Sequence, residues 1–336
     1  MKKALSLFLV CLLILSLFAG CADDSAQKGK ADSLTAMSST VPQSSEQPQS
    51  EEEKPVHMLD GKKIIFIGNS YTYYGKTVLE KNQTVLTQDR RNNDHGYFYQ
   101  LCKQNGAEVS VTNWTFGAHD FTCLFEKCTA NRGCDGVDHA SYLVDRNYDY
   151  VVMQQGNASA NIPDFIDKCD MVMNIFKEAN PNVKFVFLVQ SQAHINSYAW
   201  LPELDTLRQK GVTVVDWGAL VYDIMNGAVA VPGGSQTYNK NSFIVCKSAA
   251  DGYHPNMLSG YITTLMTYCA ITGESAVGQS YDYCNDTSIN GAFNFDHFCE
   301  TYYCYDNATT NFPDVFASPA DMKGIQTLAD QYLKTN

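Results

Sequence analysis

The chain has 336 residues, 45% of them hydrophobic and 12% aromatic, enough for one large folded domain with its own core. Its 36 acidic residues against 24 basic ones give a formal charge of −12, which argues against a nucleic-acid partner, since such a partner would want a basic face. Met1-Lys2-Lys3 is a short basic start, and Ala4 to Phe18 is an almost unbroken apolar run closed by Ala19-Gly20-Cys21. That run is short and lacks a stop signal, so it reads as a secretory signal peptide over 1–21 rather than as a spanning helix. From Ala22 to about Val56 the chain is rich in Ser, Gln, Asp and Glu and has no aromatic residue, which predicts a flexible tether over 22–57. The folded domain is expected over 58–336.

Within that domain short apolar runs alternate with amphipathic ones. Lys63–Ile67 reads as a buried strand ending at Gly68, Tyr97–Asn105 as a helix stopped by Gly106, and Glu108–Asn113 as a second strand. Tyr150–Gln154 is a third strand, Pro163–Asn180 a long helix with Pro at its start, and Lys184–Gln190 a fourth strand. Leu201–Lys210 is a helix ended by Gly211, Val212–Asp216 a fifth strand, Asn256–Thr272 a helix closed by Gly273, and Pro319–Leu333 the last helix. Glu274–Ala317 reads as an irregular decoration. Strands alternating with helices predict an α/β fold: a three-layer α/β/α sandwich around a flavodoxin-like, five-stranded parallel sheet. In such folds ligands bind beyond the carboxyl ends of the strands, so the residues just after each strand are the ones to inspect.

Gly68-Asn69-Ser70-Tyr71-Thr72 follows the first strand. A hydroxyl held at that strand exit is exposed at the rim of the sheet, beside N–H groups that can stabilise an oxyanion. Alone, the stretch is equally a common helix cap. Asp251-Gly252-Tyr253-His254-Pro255-Asn256 precedes the helix at 256–272. An Asp three residues before a His in a turn can accept the Nδ1–H bond and leave Nε2 free to take a proton from a serine. Alone, these two residues read as local turn and cap bonds.

Together the two blocks resemble the SGNH/GDSL hydrolase family, and most of all a branch with Gly-Asn-Ser where the usual pattern is Gly-Asp-Ser. The stretches that carry the resemblance are Ile64–Tyr74, Asp149–Gln155 and Asp251–Gly260, and it extends over Gly61 to Leu333. It implies a serine esterase with Ser70 as nucleophile, His254 as base and Asp251 orienting the imidazole. The backbone N–H groups of Ser70 and Gly117 would serve as oxyanion donors. For the third donor the family pattern is Gly-x-Asn-Asp, whereas this chain reads Gln154-Gln155-Gly156-Asn157-Ala158, so Asn157 and Gln154 compete for the role. The resemblance implies no cofactor and no metal, and a small acyl ester as substrate, an O-acetyl group on a glycan in the first place. An acyltransferase with the same triad and a non-catalytic glycan-binding lipoprotein are the alternatives. Ala19-Gly20-Cys21 is similar to the bacterial lipobox, with Phe18 where Leu, Val or Ile is usual. On that reading Cys21 is lipidated and anchors the protein to the outer side of the cell membrane.

Other residues carry less weight. His119 and His194 follow strands and read as satisfied polar or substrate-contact residues. Trp114, Trp200 and Trp217 could line a sugar site, although aromatic residues near strand ends are usually core. Apart from Cys11 and Cys21, ten cysteines remain, an even number that in an exported domain favours disulfides, with local clusters at Cys123/Cys128/Cys134 and Cys284/Cys299/Cys304. A metal site on the first cluster with His119 or His139 fits no standard zinc spacing.

Overall fold

The computed structural model describes residues 56–78, 88, 94, 96–126, 135–155, 164–244, 254–285 and 317–335. Five strands form one sheet: β1 (Lys63–Gly68), β2 (Ser110–Thr115), β3 (Tyr150–Met153), β4 (Lys184–Leu188) and β5 (Thr213–Val215). Their order is β2-β1-β3-β4-β5 and every pairing is parallel. Ile67 of β1 lies opposite Trp114 on β2 and Met153 on β3, which sets the carboxyl ends of the three strands side by side. Alternation along β1 divides its side chains between two cores. Ile64 and Phe66 join one, and Ile65 and Ile67 join the other. A parallel sheet covered on both faces needs apolar residues on both, which is why KIIFI is a continuous apolar run rather than an alternating one.

The helices are α1 (Ser70–Tyr73), α2 (Tyr97–Gln104), α3 (Phe121–Phe125), α4 (Phe165–Ala179), α5 (Ser191–Ile195), α6 (Leu204–Gln209), α7 (Trp217–Met225), α8 (Lys240–Phe243), α9 (Met257–Thr272) and α10 (Pro319–Thr335). On the Ile64/Phe66 face, α2, α7, α9 and α10 supply Phe98, Leu220, Leu265 and Ile325. On the Ile65/Ile67 face, α3, α4 and α6 supply Leu124, Phe176 and Leu207. This is the flavodoxin-like three-layer α/β/α sandwich that the sequence predicts. α9 is buried continuously from Met257 to Cys269 and packs against α2, α7, α8, α10 and the β4–β5 edge, so its apolar character all round reflects a place inside the layer. Among the described residues no helix is long and apolar enough to cross a membrane.

Several boundaries differ from those read in the sequence. Glu108 belongs to the approach to β2 rather than to the strand. Its N–H donates to Asp60 Oδ1 (2.7 Å) and its carbonyl accepts from Gly61 N (2.8 Å). Leu201–Glu203 is a 3₁₀ turn with Pro202 near its start, and the α-helix begins only at Leu204. The helices α3, α5 and α7 follow strands where no helix was expected. α7 starts because the Asp216 carboxylate accepts from Ala219 N (2.9 Å). The irregular region is described to residue 285, with a 3₁₀ turn at Asp282–Asn285.

Of the described cysteines, Cys102, Cys169, Cys269 and Cys284 are buried and outside any disulfide. Burial pushes the Cys284 thiol well above its ordinary range, and it packs in the core beside Tyr283 rather than bonding to Cys299 or Cys304. Cys123 is disulfide-bonded, and Cys128 and Cys134 lie outside the described residues.

Candidate active site

The chain enters the sheet at β1, runs to β2 on one side and crosses to β3 on the other, so the topological switch lies between β1 and β3. A crevice at the carboxyl ends of strands opens at such a point. Ser70 and Gln154, the second residue after β1 and the first after β3, both stand at it.

Asn69 shapes the turn at Ser70 through both its side chain and its backbone. Its side-chain oxygen accepts from Tyr71 N (3.1 Å) and caps α1. Its amide Nδ2 donates to the His119 carbonyl (2.9 Å), which ties this turn to the one after β2. Its backbone N–H donates to Gln154 Oε1 (3.2 Å), which ties it to the exit of β3. Gly68, just before it, has no room for a side chain: a Cβ there would lie 2.8 Å from Gln154 Oε1 and 2.9 Å from the Gln154 carbonyl oxygen. Asparagine in the middle of Gly-Asn-Ser therefore holds three strand exits in register around Ser70.

His254 comes to Ser70 from 184 residues away, with its Nε2 2.7 Å from Ser70 Oγ. An isolated antiparallel bridge between Ile244 and Pro255 places the loop that carries it. Asn256 continues the anchoring: its N–H donates to the Phe243 carbonyl (3.0 Å), its Nδ2 donates to the Ser242 carbonyl (2.8 Å) and its Oδ1 accepts from Ser259 N (3.2 Å) to cap α9. The imidazole stacks on Tyr71 (4.7 Å between ring centroids, 17° between planes) and on Tyr74 (4.2 Å, 23°). Packed against these two ring faces, the imidazole plane is held in place beside Ser70. These two tyrosines were missed in the sequence. The signal was Ser70-Tyr71-Thr72-Tyr73-Tyr74 itself, an aromatic cluster on a single helical turn at a strand exit.

The candidate oxyanion donors follow. Among the described residues neither Ser70 N–H nor Gly117 N–H donates a backbone hydrogen bond, so both are open to a developing charge. Gln154 is 2% exposed. Its Oε1 accepts from Thr72 Oγ1 (2.9 Å) as well as from Asn69 N, while its Nε2 has no hydrogen-bond partner among the described residues. Asn157, the competing donor, and Asp251 lie outside the described residues, as does Cys21. Ser70, His254, Gln154 and, through His119, the Gly117 turn are thus brought together.

The remaining candidates fall away from this chemistry. His194 Nε2 bonds Asp216 Oδ1 (2.7 Å) and joins α5 to the cap of α7. Trp114, Trp200 and Trp217 are buried core residues, at most 2% exposed. His119 sets its ring against His139, its Nε2 3.1 Å from the His139 Nε2.

Fold and site define an α/β protein with a serine–histidine couple at the switch point of a five-stranded parallel sheet. By sequence, the chain matches no family profile and no curated protein. Among solved structures it is similar to an active-site mutant of a family two carbohydrate esterase from Clostridium thermocellum, at 13% identity and a TM-score of 0.37. That match covers 64% of each chain, so this chain spans just under two thirds of that protein's length. It is also similar to a catalytic mutant of an acetylxylan esterase from Geobacillus stearothermophilus, at 13% identity and a TM-score of 0.41 over 64% of this chain and 95% of that one. A phospholipase A1 from Streptomyces albidoflavus is similar at 13% identity and a TM-score of 0.37, over 61% of this chain and 98% of that one. At such distances no residue role passes from these proteins to this chain.

Proposed function

We propose that the protein is a serine esterase that hydrolyses small acyl esters, O-acetyl groups on a glycan in the first place, through a covalent acyl-serine. The 2.7 Å contact between His254 Nε2 and Ser70 Oγ carries this reading. A neutral imidazole at that distance is within reach of the hydroxyl proton, which is the geometry a general base needs. Ser70 Oγ attacks the ester carbonyl as its proton passes to Nε2, and the oxyanion is received by the N–H groups of Ser70 and Gly117. The imidazolium, stacked on Tyr71 and Tyr74, then gives its proton to the departing alcohol. Water then adds to the acyl carbonyl as His254 takes its proton, and the imidazolium returns that proton to Ser70 Oγ as the C–Oγ bond breaks and the acyl group leaves as a carboxylic acid. Asp251 is assigned to Nδ1 on the resemblance of Asp251-Gly252-Tyr253-His254 to the last block of the SGNH/GDSL hydrolases. No step requires a cofactor.

The glycan ester rests on the same resemblance and on an extracytoplasmic place. The basic start, the apolar run and Cys21 support lipid anchoring to the cell membrane.

Labelling with a fluorophosphonate and turnover of p-nitrophenyl acetate test the mechanism together. The wild-type chain is expected to be labelled and active. Ser70→Ala should lose the label, and Ser70→Ala and His254→Ala should each lower kcat by about 10⁴-fold or more. A wild-type chain that neither takes the label nor cleaves the ester, or a Ser70→Ala chain that keeps both properties, would overturn the proposal.

A further inference from the structure

Beside the nucleophile turn, and outside the esterase chemistry, three potential ligands converge: His119, Asp135 and His139. His119 follows β2 at a tight turn in which Ala118 takes a left-handed backbone conformation (φ 61°). Its Nδ1 lies 2.7 Å from the Gly117 carbonyl oxygen. A carbonyl only accepts, so Nδ1 carries the proton and Nε2 of the neutral ring presents a lone pair. His139 opens a 3₁₀ turn at His139–Tyr142, capped by Asp138. Its Nε2 is 3.1 Å from His119 Nε2 and 3.2 Å from Asp135 Oδ2, and Asp135 Oδ2 is 3.7 Å from His119 Nε2.

We infer that His119, Asp135 and His139 form a binding site for a divalent first-row transition cation, with Zn²⁺ the natural probe. Ligands at roughly 2.0–2.1 Å from a tetrahedral ion stand roughly 3.3 Å from one another, and the three separations bracket that value. Two imidazoles and one carboxylate suit a borderline transition cation better than Ca²⁺ or Mg²⁺, which prefer all-oxygen shells. A histidine ligand whose other ring nitrogen donates to a backbone carbonyl is the arrangement that fixes tautomer and aim in metal centres, and His119 has it. The two imidazoles are buried, with side-chain exposures of 9% and 2%, whereas the Asp135 side chain is 45% exposed and gives the ion a route in from solvent. Phe116 packs edge-on against His139 (4.4 Å between centroids), and the two imidazoles stand nearly perpendicular at 84°, so the rings are held by packing as well as by polar bonds.

The sequence hid this site because His119 and His139 are 20 residues apart in a pattern that matches no short ligand motif. Its consequence is mechanical. The His119 carbonyl holds Asn69, and Gly117 lies two residues before His119, so a bound cation would stiffen the turn that presents the second oxyanion N–H.

Equilibrium dialysis of the chelator-stripped full chain against Zn²⁺ tests the site without reference to ester cleavage. The wild-type chain should take up one ion and gain thermal stability in its presence. Asp135→Ala changes an exposed side chain, and His119→Gln and His139→Gln change the buried pair; each should weaken uptake by at least about 10–100-fold. Asp135→Ala should also keep the melting point of the ion-free wild type while losing the gain on adding Zn²⁺. Failure of the wild type to bind Zn²⁺ would overturn the inference, as would undiminished uptake in all three variants. Thiolate charge-transfer absorption in the Co²⁺-loaded protein would overturn it too, because it would place the ion on cysteines. None of these results bears on whether Ser70 is the nucleophile.

Discussion

At Gln154 the orientation of the amide is settled by its neighbours. Asn69 N–H and Thr72 O–H both reach the same end of the side chain, and a backbone N–H can only donate, so that end is the oxygen. The NH₂ end is then buried without a partner among the described residues. A buried orphan donor costs about 1–3 kcal/mol, and such an arrangement persists where the group has another use. Its position one residue past β3, beside the Ser70 turn, makes Gln154 the proposed third oxyanion donor to test, while the competing Asn157 lies outside the described residues. Gln154→Glu separates that role from simple support of Asn69 and Thr72, because it keeps an oxygen to accept both bonds and removes the N–H. If Nε2 reaches the oxyanion, Gln154→Glu and Gln154→Ala should both lower kcat on p-nitrophenyl acetate by about 10²–10³-fold, with KM little changed. A drop confined to Gln154→Ala would reduce the residue to a support for the turn.

Between elements, the decisive contact is the one between the turn after α1 and the start of α9. A Cβ on Gly260 would lie 1.5 Å from the Gly75 carbonyl oxygen, and a Cβ on Gly75 would lie 2.7 Å from Gly260 Cα. Both obstacles are backbone, so neither can swing aside. Ser70 lies five residues before Gly75 and His254 six before Gly260, so the two glycines bear on how closely Ser70 and His254 approach. Gly260→Ala must therefore part α1 from α9. It is expected to cost more than the usual 1–3 kcal/mol or so of overpacking and to lower kcat together with the melting point. Calorimetry and p-nitrophenyl acetate kinetics on the same preparation check it, and an unchanged kcat would show that the Ser70–His254 distance does not depend on this contact. The sequence made much of this legible for a physical reason. β1 from Ile64 onward and β3 are buried and so read as continuous apolar runs, α9 is buried as far as Cys269, and Ser70 and His254 stand at a strand exit and just before a helix start, where residue type has few alternatives. α7 was not legible, because Trp217–Met225 is short and carries a single charged residue, Asp223, too little to mark out a helical period. The bridge between Ile244 and Pro255 and the meeting of His119 with His139 are products of tertiary packing that no local pattern announces.

For the whole molecule, the structure places the working start of the domain slightly upstream of strand β1. Leu59 is fully buried, and His57 Nε2 lies 3.1 Å from Tyr268 Oη and 3.3 Å from Glu274 Oε1, so the segment before β1 docks on α9 and the residues just after it. Asp60 ties the same segment to the approach of β2, accepting from His57 N (2.8 Å) and Glu108 N (2.7 Å). The Glu108 N–H bond holds the Asp60 carboxyl below its ordinary range against a small opposing effect of burial, with His57 adding to the lowering. A chain begun at Lys54 keeps all of these contacts and should match the full chain in melting point and in turnover of p-nitrophenyl acetate. A chain begun at Lys62 loses the burial of Leu59, worth about 1.5–3 kcal/mol, and should melt roughly 5–10 °C lower. The same pair tests the proposed anchor. The full chain, expressed with its first 21 residues in a bacterial host, should fractionate with membranes, whereas the chain begun at Lys54 and a Cys21→Ser full chain whose signal is cleaved should be soluble. If Cys21→Ser stays with the membrane fraction while the Lys54 chain leaves it, the attachment belongs to the apolar run of Ala4–Phe18 and not to a lipid on Cys21, and the esterase would work at the membrane surface on a protein anchor instead of a lipid one.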